Sequence, residues 1–199
     1  MQNTLNTQNT QNMQNTLNTL NMQKLELKLP IHIQGTVVDL ETTAFALPGD
    51  ILTYGFLTGD TITVFQRTDA SAQGKLDFEE EMKKWPEQFP RPFYSYNAEF
   101  EEKWTGVKFD FDLMKPWRDE CSRSEANGLK VKWPKVSELV SAPHDYFAKQ
   151  KEFLGHQVPL LWQQYAQSGE QDFLKEIIFH NVCDLKREAC LLFWKEKYW

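Results

Sequence analysis

The chain has 199 residues, of which 41% are hydrophobic and 25% charged, and these values are ordinary for one globular domain with a real core. Its formal net charge of −6 argues against a generally basic coat for nucleic acid, so binding of that kind requires a local site. No apolar run approaches the roughly 20 residues of a membrane span, and the N-terminus lacks the basic and apolar pattern of a signal peptide.

The cysteines indicate the compartment. Cys121, Cys183 and Cys190 form no CxxC spacing. The last two would lie roughly 10 Å apart on one helix, which is too far for a disulfide. We therefore expect three reduced thiols in a soluble, cytoplasmic protein with no membrane partner. The pattern leaves the oligomeric state open.

Residues 1–23 differ in composition from the rest of the chain. They are almost entirely Gln, Asn, Thr, Leu and Met, carry no charge, and contain "QNTLNT" twice. Such a segment buries too little apolar surface to offset its ordering entropy, which favours a disordered low-complexity tail. An interaction or self-association tail is the alternative. We place one domain at residues 24–199.

The domain begins with strand patterns. "KLELKLPIHIQGTVVDLE" alternates apolar and polar residues up to Val37 and Val38, with interruptions at Pro30 and Gly35. "ILTYGFLTGDTITVF" contains two β-rich runs around Gly59 and Asp60, which is typical of a short hairpin turn. These stretches predict an antiparallel meander.

Helical patterns dominate afterwards. "DFEEEMKKW" reads as a helix, and "FYSY" reads as a strand that reaches Asn97. From Gln157 onward the pattern predicts two helices separated near Ser168 and Gly169. The second carries an apolar stripe, formed by Leu174, Ile178, Leu185, Ala189 and Leu192. The order of elements predicts an α/β domain, a central mixed sheet with helices packed on it.

Two acidic residues follow the Val37–Val38 strand. Asp39 and Glu41 alternate along the strand and therefore project from one face of its carboxyl end, where α/β sheets usually bind ligands. Two carboxylates this close repel each other unless positive charge lies between them. Oxygen ligands favour Mg²⁺ or Mn²⁺, and no Cys/His pairing at ligand spacing indicates zinc.

Further candidate ligands lie in two later stretches. In "YSYNAEFEEKW" Asn97 is placed to cap a helix, and Glu101 lies one turn inside it, with Glu99 as a competing ligand. In "FHNVCDLKRE" His180 and Asp184 are four residues apart and share a helix face. We expect the carboxylates of Asp39, Glu41, Glu101 and Asp184 to converge.

"DLE", "NAEFE" and "HNVCD" resemble, in order and spacing, the three motifs of the DEDD exonuclease superfamily within the ribonuclease H-like fold. The likeness extends from about Thr36 to the C-terminus. Over this range the chain is similar to a bacterial and archaeal group of such exonucleases. Two positions depart from the family pattern. Glu101 stands where Asp is usual, and His180 stands at the spacing that the family gives to tyrosine.

The resemblance implies phosphodiester hydrolysis with two divalent ions, Mg²⁺ or Mn²⁺, roughly 4 Å apart. It implies that Asp39 bridges both ions, that Glu41 and Asp184 complete the site of the attacking water, and that Glu101 supports the second ion. His180 would orient the water or accept its proton. The alternative for His180 is a buried histidine bonded to a backbone carbonyl.

The predicted substrate is the 3' end of single-stranded DNA or RNA. Candidate contacts are Thr42, Thr43, Asn97 and Phe100, although Asn97 also suits a helix cap and Phe100 a core position. "KVKWPK" places lysines around Trp133 and suits either strand binding or a solvated loop. The hypotheses are a metal-dependent 3'-5' exonuclease, a catalytically silent nucleic-acid-binding or scaffold domain, and an endonuclease.

Overall fold

The computed structural model describes residues 17–19, 21–128, 132–140 and 154–193. Within these ranges, one mixed sheet contains the strands β1 (Leu17–Thr19), β2 (Met22–Thr42), β3 (Ile51–Arg67), β4 (Phe93–Ser95) and β5 (Phe111–Asp112). The central β2 pairs antiparallel with β1 and β3 and parallel with β4, which pairs parallel with β5. The predicted fold class, a mixed α/β sheet flanked by helices, is confirmed.

The described helices begin after β3, and the short strands β4 and β5 lie between them in the chain. They are α1 (Ala72–Met82), α2 (Trp85–Gln88), α3 (Ala98–Thr105), α4 (Lys115–Ala126), α5 (Val136–Leu139), α6 (Val158–Ser168) and α7 (Gln171–Phe193), with a 3-10 turn at Gly155–Gln157. The predicted break near Ser168 is confirmed, because Gly169 ends α6 in the left-handed conformation with a φ of 73°.

The turn predicted at Gly59 and Asp60 is wrong. β3 continues through both residues, and its pairing with β2 extends from Ile51 to Arg67 with shifts of register on the way. Gly59 has a φ of 60° and lies opposite Ile33, where the register of the two strands shifts. Glycine adopts positive φ without strain, so this position absorbs an irregularity inside a strand. The antiparallel meander is formed instead by β1, β2 and β3.

Both faces of β2 are covered, which explains its two consecutive valines. Val37 and Val38 are fully buried. Val37 packs in the cluster that contains Ile178 and Leu185 of α7. Val38 packs on the opposite face against aromatic rings, namely Phe56, Phe78, Trp85 and Phe93. Because alternate residues of a strand share a face, the odd-numbered positions after Val37 face α7.

The apolar stripe of α7 fixes that helix on the sheet. Leu174, Ile178, Leu185 and Ala189 are buried, and Leu192 is half-buried. A fully buried Leu or Ile contributes about 1.5–3 kcal/mol relative to an exposed one. The polar residues that flank the stripe are therefore brought against the strand ends by apolar packing.

The sheet begins inside the segment predicted as a tail. Backbone pairing joins Leu17–Thr19 to the start of β2, which includes Met22 and Gln23. The rest of the predicted tail, residues 1–16 and 20, lies outside the described residues. In the part of the chain that is described, no helix is long and apolar enough to cross a bilayer.

Candidate active site

The carboxyl ends of β2 and β4 lie side by side and form the base of the site. The strands are parallel, with Thr36 opposite Phe93 and Val37 opposite Tyr94. β2 then carries Asp39, which is half-buried, and Glu41, whose residue surface is only 6% exposed. The two acidic side chains of β2 therefore lie at the edge of the sheet where β4 also ends.

Asp39 is oriented by a residue of α7. The Asn181 amide nitrogen donates to Asp39 Oδ2 at 2.8 Å and to the Asp39 backbone carbonyl at 3.2 Å. Asn181 is fully buried above Gly55, where an added Cβ would lie 2.0 Å from Asn181 Oδ1. Glycine at position 55 thus leaves the space that this amide occupies. Sequence analysis missed both residues, and the only signal was the position of Asn181 within "HNVCD".

His180 and Asp184 face the same strand end from α7. His180 Nε2 lies 3.9 Å from Glu41 Oε1 and 3.6 Å from Asp184 Oδ2. Arg187, one turn further, donates from Nη1 to Asp184 Oδ1 at 2.8 Å. An added Cβ at Gly155 would lie 3.2 Å from His180 Nε2, so the 3-10 turn packs closely over the ring. The imidazole therefore lies between two acidic groups in a confined space.

Glu101, on α3, points inward, whereas Glu99 points outward. The Glu99 side chain is 76% exposed and pairs with Arg118, while Glu101 is 4% exposed. Burial raises the pKa of Glu101 to about 8, although a hydrogen bond with Ser95 partly opposes the rise. Within the described structure, Glu101 Oε2 is buried with no hydrogen-bond partner. An unoccupied acceptor oxygen is therefore available at the site.

The pKa of Asp39 reflects its burial and the nearby acidic groups. Burial is the largest cause of its pKa being well above the usual range. The negative charges of Glu41, Asp184 and Glu101 raise the pKa further, in that order. His180 lowers it. Asp39 and the three other acids chosen from sequence, which come from three separate stretches of chain, thus interact electrostatically.

A fifth acid, Glu188, was missed by sequence analysis. It is 1% exposed, and its Oε2 accepts a hydrogen bond from the Tyr96 backbone N–H at 3.1 Å. Burial raises its pKa well above the usual range, followed by the charges of Asp39, Glu101 and Asp184. Its spacing was a usable signal, because His180, Asp184 and Glu188 follow one another at intervals of four.

The chemistry of this cluster fits a hard divalent cation. In the described ranges, no three acidic, histidine or cysteine side chains lie close enough together to form a ready-made metal shell. The donors are nevertheless carboxylate oxygens, one of them buried without a partner, and burial together with their mutual repulsion raises the pKa of Asp39. A bound Mg²⁺ or Mn²⁺ would relieve that repulsion.

The four acids chosen from sequence line a cleft of about 430 Å³, and the described part of its lining does not include Glu188. Of the predicted substrate contacts, Thr42, Asn97 and Phe100 line the cleft, and Thr43 is not among the described residues that do. The Thr43 hydroxyl instead accepts from the Asp50 backbone N–H at 2.8 Å and holds the loop that follows β2. The Thr42 hydroxyl donates to the Ala44 carbonyl at 2.7 Å.

The rim of the cleft contains several basic and aromatic residues. The Asn97 side chain does not cap α3, because its Oδ1 accepts from Arg118 Nη2 at 3.0 Å. Trp133 and Lys135 of "KVKWPK" line the rim, while Lys130 lies outside the described residues. His156, which the sequence gave no reason to select, also lines the cleft.

Comparison with known proteins supports this architecture. A model of the RNase_H_2 family, described as RNase_H superfamily, matches residues 36–194 and includes every acid named above. The comparison with curated proteins returned no match. Because the match extends from β2 through α7, the chain belongs to the RNase_H_2 family of the RNase_H superfamily.

Proposed function

We propose that this chain is a DEDD-type 3'-5' exonuclease that hydrolyses phosphodiester bonds at single-stranded DNA or RNA ends with two divalent ions. The observation that carries the proposal is that four acids, Asp39, Glu41, Glu101 and Asp184, line one cleft at the carboxyl end of β2. Family membership suggests the general class of activity, which is nuclease-type activity on nucleic acid. A cytoplasmic location is part of the proposal and rests on the cysteine pattern.

Asp39, Glu41, Glu101 and Asp184 are the residues that would hold the ions. Bound divalent cations would lower the pKa of the attacking water and stabilise the negative charge of the departing 3'-oxygen. Glu101, with its pKa of about 8, must lose a proton to serve as a ligand. Metal affinity should therefore rise with pH in the neutral range.

The remaining residues of the site orient groups and move a proton. Asn181 fixes one Asp39 oxygen by its 2.8 Å hydrogen bond. His180 presents Nε2 between Glu41 and Asp184, which is the position from which an imidazole can accept a proton from water. Arg187 holds the Asp184 carboxylate from the opposite side.

The cleft wall supplies candidate contacts for the terminal nucleotide. Thr42 and Asn97 present polar groups beside the acids, and the Phe100 ring borders the same space. Thr43 would influence substrate binding only indirectly, because its hydroxyl accepts a hydrogen bond that holds the loop after β2. These residues would determine how the 3' end of the substrate binds.

The test is digestion of matched single-stranded DNA and RNA oligomers with Mn²⁺, with either the 3' or the 5' terminus blocked. We expect stepwise shortening that a 3' block prevents and that chelation of the metal abolishes. Asp39→Asn should reduce the rate by at least about 10³-fold, because it removes a ligand charge at the centre of the site. The matched control is Asp119→Asn, an exposed aspartate of α4 outside the cleft.

Two results would contradict the proposal. Cleavage of circular substrates would indicate an endonuclease. Oligomer binding without metal-dependent turnover would indicate the catalytically silent domain, which is the alternative suggested by Glu101 and by the spacing of His180.

A further inference from the structure

Trp133 is a large aromatic side chain that remains 45% exposed at the rim of the cleft. Its backbone is held on both sides: the Tyr96 hydroxyl donates to the Pro134 carbonyl, and the Cys121 thiol lies 3.9 Å from the Lys132 carbonyl. Tyr96 lies two residues before the start of α3, which carries Glu101. The segment is therefore attached to the same elements that form the acidic cluster.

Arg118 fixes the ring itself. Its guanidinium carbon lies 5.2 Å from the centroid of the Trp133 ring, a cation–π distance. The guanidinium is held in turn by Asn97 Oδ1 at 3.0 Å and by Asp112 Oδ2 at 3.0 Å. A ring restrained in this way loses little conformational freedom when a ligand stacks on it.

The surroundings of the ring suit a nucleotide. Lys135 lines the same cleft two residues further along and supplies a cation for a phosphate. Aromatic side chains beside basic groups are the usual means of binding single strands, because every base has a π face. A peptide or a lipid does not offer both a flat base for the ring and a phosphate for the cation, so it would use this combination less well than a nucleotide.

We propose that Trp133, backed by Arg118, is a stacking subsite for one base of the single-stranded nucleic acid whose backbone enters the acidic cluster. The inference rests on the proposed function for its choice of ligand, and it adds a residue that determines affinity and not the rate of the chemical step. Sequence preference is expected to be weak, because stacking accepts all bases.

Binding of a fluorescein-labelled single-stranded DNA dodecamer tests the proposal. Anisotropy is measured with Ca²⁺ in place of Mn²⁺, for the full chain, and again with a dodecamer that lacks its bases. We expect the wild-type protein to prefer the intact strand by about tenfold. Trp133→Ala should remove that preference, and Trp133→Phe should restore most of it, because a phenyl ring still stacks.

Phe193→Ala is the matched control, since Phe193 is an exposed aromatic, at 56%, outside the cleft lining. It should leave the preference for the intact strand unchanged. An undiminished preference in Trp133→Ala, or equal loss in Trp133→Phe, would overturn the subsite. This binding assay needs no turnover, so failure of the exonuclease proposal and failure of the stacking subsite are separately observable.

Discussion

At the scale of single residues, the position of Asp39 depends on neighbours that carry no catalytic chemistry. Asn181, 142 residues later in the chain, donates to its carboxylate, and Gly55 leaves room for that amide. Residues that orient a metal ligand typically affect affinity or activity by about 10- to 100-fold. Substitutions at Asn181 and Gly55 should therefore have non-additive effects on the free energy of unfolding and on the turnover rate.

A double-mutant cycle tests this coupling. Gly55→Ala places a methyl group against Asn181 and should destabilise the protein by about 1–3 kcal/mol, as overpacking in a core does. In the Asn181→Ala background the same substitution should cost much less, because the obstructing amide is gone. Free energies of unfolding from denaturant titration give the four values. Strictly additive effects would show that Gly55 does not act through Asn181.

The proposed role of His180 in proton transfer is tested by a second substitution. His180→Gln should lower kcat by about 10²-fold with a smaller change in KM, because the ring nitrogen between Glu41 and Asp184 is lost. His32→Gln, an exposed histidine outside the cleft, serves as the control. Near wild-type turnover of His180→Gln from pH 6 to 9 would leave His180 with a structural role alone.

Residue types and spacing were sufficient to select four acids that line the cleft, but they identified neither Glu188 nor the hydrogen-bond partners of the acids. The alternation of β2 places Asp39 and Glu41 on one face, and a four-residue spacing pairs His180 with Asp184. The contact of Asn181 with Asp39 depends on how far α7 is shifted along β2. An apolar stripe predicts the buried side of a helix, but it does not predict that shift.

At the scale of elements, β2 shows how a long pairing overrides a local turn signal. The Gly59–Asp60 dipeptide favours a turn, yet β3 gains ladder hydrogen bonds with β2 on both sides of it. The N-terminal end of this hairpin is also anchored. Met22 is buried, and the Asn21 side chain donates to Asp77 of α1 at 2.6 Å.

Two truncations should therefore behave differently. We expect removal of residues 1–16 to leave Tm unchanged, because the described sheet begins at Leu17. Removal of residues 1–23 should lower Tm by roughly 3–10 °C, since it deletes β1 and the buried Met22 side chain. Thermal unfolding followed by circular dichroism measures both. Equal Tm values for the two truncations would mean that the start of β2 contributes nothing to stability.

At the scale of the whole molecule, the fold concentrates acidic side chains where its core elements meet. β2, α3 and α7 each bring acids to one place, and these include the buried Glu101 and Glu188. Burial raises the pKa of both groups above the values they have in an unfolded chain. The stability provided by apolar packing thus supports a site that is electrostatically unfavourable on its own.

This arrangement makes stability depend on pH and on metal together. Glu101 has its pKa raised from 4.5 to about 8, so in the absence of divalent cations stability should fall as pH rises between those values. In the proposed site Mn²⁺ would bind the ionised form, and therefore its stabilising effect on Tm should be several degrees larger at pH 8.5 than at pH 6. Glu101→Gln should flatten the metal-free pH dependence, whereas Glu125→Gln, at an exposed position outside the cleft, should not. Differential scanning fluorimetry with Mn²⁺ or with a chelator measures these shifts, and an Mn²⁺ effect that is equal at both pH values would mean that the buried acids do not bind the ion.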